Sequence, residues 1–589
     1  MNRLNLILIS LVLIIGFGTA NAQAPDAIIK GFGVSPRDVA MDEEDIFDRA
    51  SSSLLNVGIG EAVYLSGNLG DEDITAWEWS MEVPEDSETE LTATDVEIIG
   101  FVPDMIGTFL VTLIVTSDSG QSEPASVPVN VSTYVGSGGI VGDAEFPQCG
   151  TCHGDHLEAW ATTNHSIALT KGLDGEKGEH FRSYCVSCHS TGYDSDERAA
   201  NNGFDDRAAE DGWEFPDSLY EGGWDHFVEN YPNVAQMGNI QCEMCHGPGD
   251  AHRSNVADNR IAVSYEIDAC AKCHDAGTYH TFPYSWDFSG HANSTRYPTG
   301  AGRESCVRCH GGYGFIDYVN GVPQEERRTD YLPITCVTCH DPHTNENDNH
   351  QLRITEPYTL ENGVEVDFGL GNLCVNCHHS RRNAEEYVQE YHRHYGPHHS
   401  NQGDMIRGTN AIEYGEQFRI GPHSRQEQNE NVCVSCHMAP GPGQDEAGYL
   451  EIGTHSFAME NADGVQNVAA CAECHGEIES FSDIPAGADY DLDGTVETVT
   501  EEINALMEEL AMMLPPIDEA DVSVDTNYTL AQLSAAYNYF YVEDDGSHGV
   551  HNGPYSAGVL RLASRSLLSV PEQISPIPQG WAMGSAYPN

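Results

Sequence analysis

Between Cys149 and His475 one five-residue pattern, Cys-x-x-Cys-His, occurs nine times. It runs through Cys149, Cys152 and His153; Cys185, Cys188 and His189; Cys242, Cys245 and His246; Cys270, Cys273 and His274; and Cys306, Cys309 and His310. It continues through Cys336, Cys339 and His340; Cys374, Cys377 and His378; Cys433, Cys436 and His437; and Cys471, Cys474 and His475. These motifs use all 18 cysteines. On one helical turn, residues three and four apart share a face, so two thiols and an imidazole can grip the same flat group. That is the chemistry of c-type haem attachment, with two thioethers to the porphyrin and the histidine on iron. Zinc ribbons and thiol redox sites share the cysteine spacing, and disulfide frameworks also use an even number of cysteines. Neither explains a histidine after every second cysteine. The expectation is nine covalently bound haem c groups.

Nine motif histidines leave 18 of the 27. An iron that only carries electrons is commonly six-coordinate, and a second histidine supplies the sixth bond in many multihaem proteins. By context the candidates are His165, His252, His291, His343, His379, His399, His423, His455 and His551. His398 competes with His399, and His548 with His551. Surface or propionate-pairing roles fit His156, His180, His226, His280 and His350.

The first six motifs form an internal duplication. One copy, 149–252, reads CGTCH, Trp160-x4-His165, CVSCH, Gly192-Tyr193, the motif at Cys242 followed by Gly-Pro248, and His252. The other, 270–343, reads CAKCH, Trp286-x4-His291, CVRCH, Gly312-Tyr313, the motif at Cys336 followed by Asp-Pro342, and His343. Each copy is therefore expected to carry its own distal histidines, with 194–240 a surface excursion of the first. The third group, 374–475, departs from the repeat and crowds histidines at 391–399.

The elements around these motifs suggest a multidomain chain. Arg3, the apolar run Leu6 to Phe17 and Thr19-Ala-Asn-Ala22 read as a signal peptide over 1–22, so export to the periplasm or cell surface is expected. No later stretch could span a bilayer, so no transmembrane segment is expected in the mature chain. With 93 Asp+Glu against 26 Lys+Arg and a formal charge of −67, nucleic acid and anionic membrane are disfavoured as partners. Basic redox proteins or other multihaem cytochromes suit that surface better, and self-assembly is a further expectation.

Residues 24–135 hold no cysteine and read as short strands. Phe109, Val111, Leu113 and Val115 alternate onto one face, and Pro128 marks a sheet edge. A linker over 136–144 is rich in glycine. The haem region, 145–480, should hold short helices and loops with little sheet. Residues 481–589 read as helical, with Ile503, Leu506, Met507, Leu510 and Met513 on one face before Pro515-Pro516. Asp489, Asp491 and Asp493 resemble the first half of a calcium-binding EF-hand loop, although Thr500 stands where a bidentate glutamate belongs.

The order Leu65-Ser-Gly67, Trp77-x-Trp79, Gly107-x-Phe-x-Val111 and Ser119-Gly120 resembles the polycystic-kidney-disease-type (PKD) domain. That implies an all-β immunoglobulin-like sandwich serving adhesion, spacing or assembly. Trp160-x4-His165, the stretch Cys242 to His252 and Gly549-Val-His-Asn552 resemble the cytochrome c-554 and multihaem nitrite-reductase/hydroxylamine-oxidoreductase superfamily. The resemblance spans roughly 145–570 and implies closely packed, mostly bis-histidine haems in electron transfer outside the cytoplasm. Some members are enzymes with one open haem. This chain lacks the Cys-x-x-Cys-Lys motif of the nitrite reductases, and no local motif singles out the tyrosine of the hydroxylamine-oxidising branch. The expected function is electron conduction by a secreted nine-haem cytochrome. The alternative is an oxidoreductase of a small nitrogen or sulfur compound, with His392, His394, His398 and His399 near its open haem.

Overall fold

The computed structural model describes residues 24–42, 46–138 and 148–568, apart from short gaps at 195, 197, 258, 260, 295–296, 346–348, 426–428 and 518–520. The expected signal peptide and residues 139–144 of the expected linker lie outside the described residues. The chain forms two compact units, Met1–Arg353 and Ile354–Asn589. The first carries six motifs and the second carries three.

The first unit begins with two sheets packed face to face. One pairs Ile29–Gly31, Val63–Gly67 and Ile98–Phe101; the other pairs Asn56–Gly58, Ala125–Ser132, Gly107–Ser117 and Ile74–Glu82. The alternation read from the sequence sets the core: Phe109, Val111, Leu113 and Val115 are fully buried against Val63, Leu65, Ile99 and Phe101. Each such side chain contributes about 1.5–3 kcal/mol on burial. The Trp77 and Trp79 indoles donate to the carbonyls of Gly67 and Val96, at 2.7 and 2.8 Å. Pro128 stands opposite Leu110 on one side, while on the other side the Asn56–Gly58 strand pairs only with 130–132. Proline's missing N–H therefore falls beyond that pairing.

Beyond the sheets, regular structure shortens sharply. The motif helices run from four residues, as at Cys149–Cys152, Glu243–His246 and Cys336–Cys339, to seven at Asp268–His274 and Ala469–His475. Isolated helices shorter than about 12–15 residues are marginal in water, so these turns depend on what packs against them.

The sheets supply part of that support. Buried Glu243, inside the third motif, accepts from the backbone N–H groups of Val135, Gly136 and Gly249 at 2.6–3.1 Å. The Ser137 N–H donates to Gln241, and Asn56 donates to the carbonyls of His246 and Pro248. The start of the expected linker, 136–138, is thus held against the third motif.

The 194–240 insertion differs from a surface excursion. Phe204, Phe227, Val234 and Met237 are buried with Leu169, Leu173 and Phe181, and Trp213 and Trp224 pack at their edge. Its asparagine-, aspartate- and glycine-rich composition surrounds an aromatic core of its own.

In the second unit three helices, Val499–Met513, Leu530–Asp545 and Gly553–Leu568, share one core. Ile503, Leu506, Met507 and Leu510 are buried as their spacing predicts. Thr498 and Glu501 close a reciprocal cap, and Thr529 and Gln532 close another. Asn538 holds both the N–H and the carbonyl of Ile412, and Asn401 donates to the Tyr541 carbonyl at 2.7 Å. These bonds fasten the loops beyond the seventh motif to the C-terminal helices.

Candidate functional site

The two tryptophans at matching places in the sequence make matching hydrogen bonds. The Trp160 indole donates to the carbonyl of Ile240, and the Trp286 indole to that of Ile334, both at 3.0 Å. Each acceptor lies two residues before the third motif of its copy. Among the described residues no disulfide joins the motif cysteines. Thiols of different motifs meet pairwise, Cys149 with Cys242, Cys188 with Cys273, Cys270 with Cys336, and Cys374 with Cys433.

Among the described residues, six motif histidines face a second histidine at nearly constant spacing. Ring centres are separated by 6.5 Å for His153 and His252, 6.3 Å for His189 and His280, and 6.1 Å for His246 and His343. The spacing is 6.0 Å for His274 and His165, 6.3 Å for His437 and His551, and 6.1 Å for His475 and His423. A ligating imidazole nitrogen stands about 2 Å from its metal, so rings on opposite sides of one ion are about 6 Å apart. The pairs have about the separation that a single iron between them requires; His156 stands equally near two of these rings, 6.2 Å from His153 and 5.8 Å from His343.

The second ring nitrogen decides which one is left for a metal. Nδ1–H of His246 donates to Ala262, of His340 to His350 and of His437 to Phe457, all to backbone carbonyls at 2.6–2.8 Å. His189 makes the same kind of bond to Ala168 at 3.3 Å, and His378 donates to the Gln402 side chain at 3.1 Å. On the facing histidines, His252 donates to the Asn259 carbonyl and His423 to the Val550 carbonyl, each at 2.7 Å, and His551 to the Asp545 carboxylate at 2.7 Å. His343 uses Asp341 at 3.2 Å. Occupying Nδ1 leaves the Nε2 lone pair for a metal. Burial pushes His274 down to about 3 and holds His165, His189, His246 and His437 below the usual histidine range, which keeps them neutral donors. For His551 burial opposes protonation, but the Asp545 carboxylate outweighs it and the balance is upward. The donor set fits haem c: thiols for the vinyl groups and facing neutral imidazoles for the iron.

The other candidates are placed as follows. His379 is buried with both nitrogens engaged, Nδ1 by the Ser380 carbonyl and Nε2 by the Tyr358 hydroxyl at 3.2 Å. In this arrangement it does not offer Nε2 to an iron. His399 is mostly exposed, its Nδ1 2.5 Å from Asp544. His548 bonds Asn504 at 2.8 Å, whereas its competitor His551 faces His437. His291 lies beyond the Phe282–Trp286 helix, and His455 lies on the turn Thr454–Ser456, next to the Phe457 carbonyl that anchors His437. His280, for which the sequence suggests a surface or propionate-pairing role, stands 6.3 Å from His189. Its neighbours Tyr279 and Thr281 match no part of the repeat, and only the fold brings it to His189.

Asp489, Asp491 and Asp493 bring carboxylate oxygens within 4.8 Å of one another. The loop is closed by buried Glu502, whose carboxylate accepts from the backbone N–H groups of Tyr490, Asp491 and Glu497 at 2.6–3.1 Å. Among the described residues no helix is long and apolar enough to cross a membrane.

Residues 148–209, which hold the first two motifs, match the family described as cytochrome c554 and c-prime. No curated protein matches the chain. Among solved structures it is similar to the outer cell wall cytochrome OcwA, at 18% identity and a TM-score of 0.45, covering 74% of this chain and 99% of that one. It is also similar to an undecahaem cytochrome from the S-layer of Carboxydothermus ferrireducens, at 17% identity and a TM-score of 0.41, covering 75% of this chain and 70% of that one.

Proposed function

We propose that the chain is an exported nine-haem c-type cytochrome that conducts electrons, with mostly bis-histidine iron sites. The observation that carries this reading is the set of histidine pairs at 6.0–6.5 Å, most with an Nδ1 tied by a hydrogen bond. Haem c, when bound, supplies reversible one-electron chemistry at its iron. The chain's own contribution is to bring two imidazoles to a spacing that would hold the iron between them and, where Nδ1 is hydrogen-bonded, to fix their tautomers. Two histidine donors keep iron low-spin in both oxidation states, so little geometry changes when an electron arrives. The strongly acidic composition suits basic redox proteins or other multihaem cytochromes as partners, and the sandwich suits attachment or self-assembly.

Calcium remains part of this reading as a second ligand: Asp489, Asp491 and Asp493, together with Glu497 and Glu502 beside Asp491, group carboxylate oxygens closely enough to hold a cation.

The test is an alkaline pyridine haemochrome count beside electron paramagnetic resonance of the oxidised protein. Nine c-type haems with a dominant low-spin signal are expected. Fewer than nine haems would refute the stoichiometry. A substantial high-spin signal that shifts with nitrite or hydroxylamine would favour the enzymatic alternative instead.

A further inference from the structure

We propose that the two repeat units, 149–252 and 270–343 (both within the first compact unit), trade iron-binding histidines, and that His280 of the second repeat unit completes the iron site begun by Cys185, Cys188 and His189 of the first. The inference rests on the haem reading above and goes beyond it in assigning which histidine serves which iron. The duplicated sequence suggests two self-contained triplets. The ring contacts describe a different arrangement.

Four histidines crowd together where the two units meet. His189 and His274 belong to motifs, so two irons must be served, and His165 and His280 are the two available partners. His274 lies 6.0 Å from His165 and 5.8 Å from His280, while His189 lies 6.3 Å from His280. Among the described residues no ring contact joins His165 to His189. If His280 served the iron of His274, the iron of His189 would lose its facing ring and His165 would serve nothing. Pairing His274 with His165 and His189 with His280 gives both irons two ligands.

That solution crosses the repeat boundary twice, because His165 precedes Cys185 in the first unit whereas His280 follows Cys270 in the second. A third crossing comes from His246 of the first unit and His343 of the second, with ring planes 14° apart. The pair His153 and His252 stays within the first unit. The Cys188 and Cys273 thiols meet across the same boundary.

Local structure explains how His280 reaches its place. It sits on a short hairpin opposite Ala276, immediately after the fourth motif. The base of that hairpin is fixed by Asp275, whose buried carboxylate accepts from Arg37 at 2.6 Å and from Ser35 at 2.9 Å. The sandwich thereby helps to aim the ligand. Traded ligands interlock the copies, so neither triplet completes its irons alone.

The experiment uses full-length holoprotein, comparing wild type with His280→Ala and His280→Met by haemochrome count, electron paramagnetic resonance and carbon monoxide binding to the reduced form. His280→Ala should keep nine haems and convert one to a high-spin, carbon monoxide-binding state that added imidazole reverses. His280→Met should give one haem with a histidine–methionine signature. It carries the test if the alanine variant does not accumulate, since it retains a sixth donor. In a Cys185→Ala/Cys188→Ala background, adding His280→Ala should open no further haem. Nine haems with unchanged spin state in both single variants would overturn the proposal, as would a newly opened haem in the eight-haem background. Wild-type protein without covalent haem would instead sink the reading on which the proposal rests.

Discussion

A histidine becomes a useful iron ligand only when its other nitrogen is committed, and the partner chosen there sets how strongly it donates. His252 and His423 spend Nδ1–H on backbone carbonyls, which are neutral acceptors. His551 spends it on Asp545, whose side chain is fully buried, whereas the corresponding partner of His343, Asp341, is 29% exposed. A buried carboxylate draws the proton toward itself and gives the imidazole partial anionic character. That favours the ferric state and lowers the reduction potential. On the proposed nine-haem reading, with His551 a ligand, Asp545→Asn should therefore raise the potential of one haem and leave the other eight in place. Spectroelectrochemical titration of the variant against wild type reads this directly; an unchanged titration curve would exclude the effect. Such partnerships are hard to read from sequence. Attachment motifs are local and legible, but His280 and His189 lie far apart in the chain, and nothing in sequence spacing encodes that approach. His379 shows the converse: it directly follows a motif, yet the fold assigns both of its nitrogens to hydrogen bonds.

Elements were legible where periodicity is strong. The face of Ile503, Leu506, Met507 and Leu510 and the alternation of Phe109 to Val115 survive into the structure because each is a pattern within one segment. The core formed by the 194–240 insertion was not legible, since its aromatics are scattered among acidic residues and glycine without a period. The Gln402–Arg407 helix adds a testable consequence. Its Asp404 is fully buried, accepts from the Ser380 N–H at 2.7 Å and from Asn410 at 2.8 Å, and faces the buried rings of Tyr537 and Tyr541. Burial pushes its carboxyl up to about 6, although those hydrogen bonds oppose the shift. The fold thus binds a proton that the unfolded chain has already released near its ordinary pKa of 3.8. Between about pH 4 and pH 6, stability from this group falls as pH rises, and above pH 6 it is constant. The loss should be roughly 2–3 kcal/mol at about 1.4 kcal/mol per unit. Asp404→Asn cannot titrate, so unfolding free energies measured across that range should converge or diverge by this amount between variant and wild type. Parallel profiles would refute the shift.

At the scale of the whole molecule the dominant quantity is charge. A formal −67 on 589 residues means that every compact state works against self-repulsion, and haem propionates would add to it. Compact packing does not remove that repulsion. Screening does. The Debye length shortens from about 30 Å at 0.01 M salt to about 10 Å at 0.1 M, so distant like charges cease to interact first. The thermal midpoint of the holoprotein should accordingly rise as sodium chloride is increased from 10 to 100 mM (a roughly threefold change in Debye length), and then flatten. The same field acts on reaction partners. A cationic reductant should reduce the protein faster than an anionic one of similar potential, and the ratio of the two rates should collapse toward unity as salt is added. Stopped-flow reduction at several ionic strengths measures that ratio. If the anionic reductant were faster at low salt, electrons would be entering through a local basic surface that overrides the global charge, and the preference for basic partners would fail.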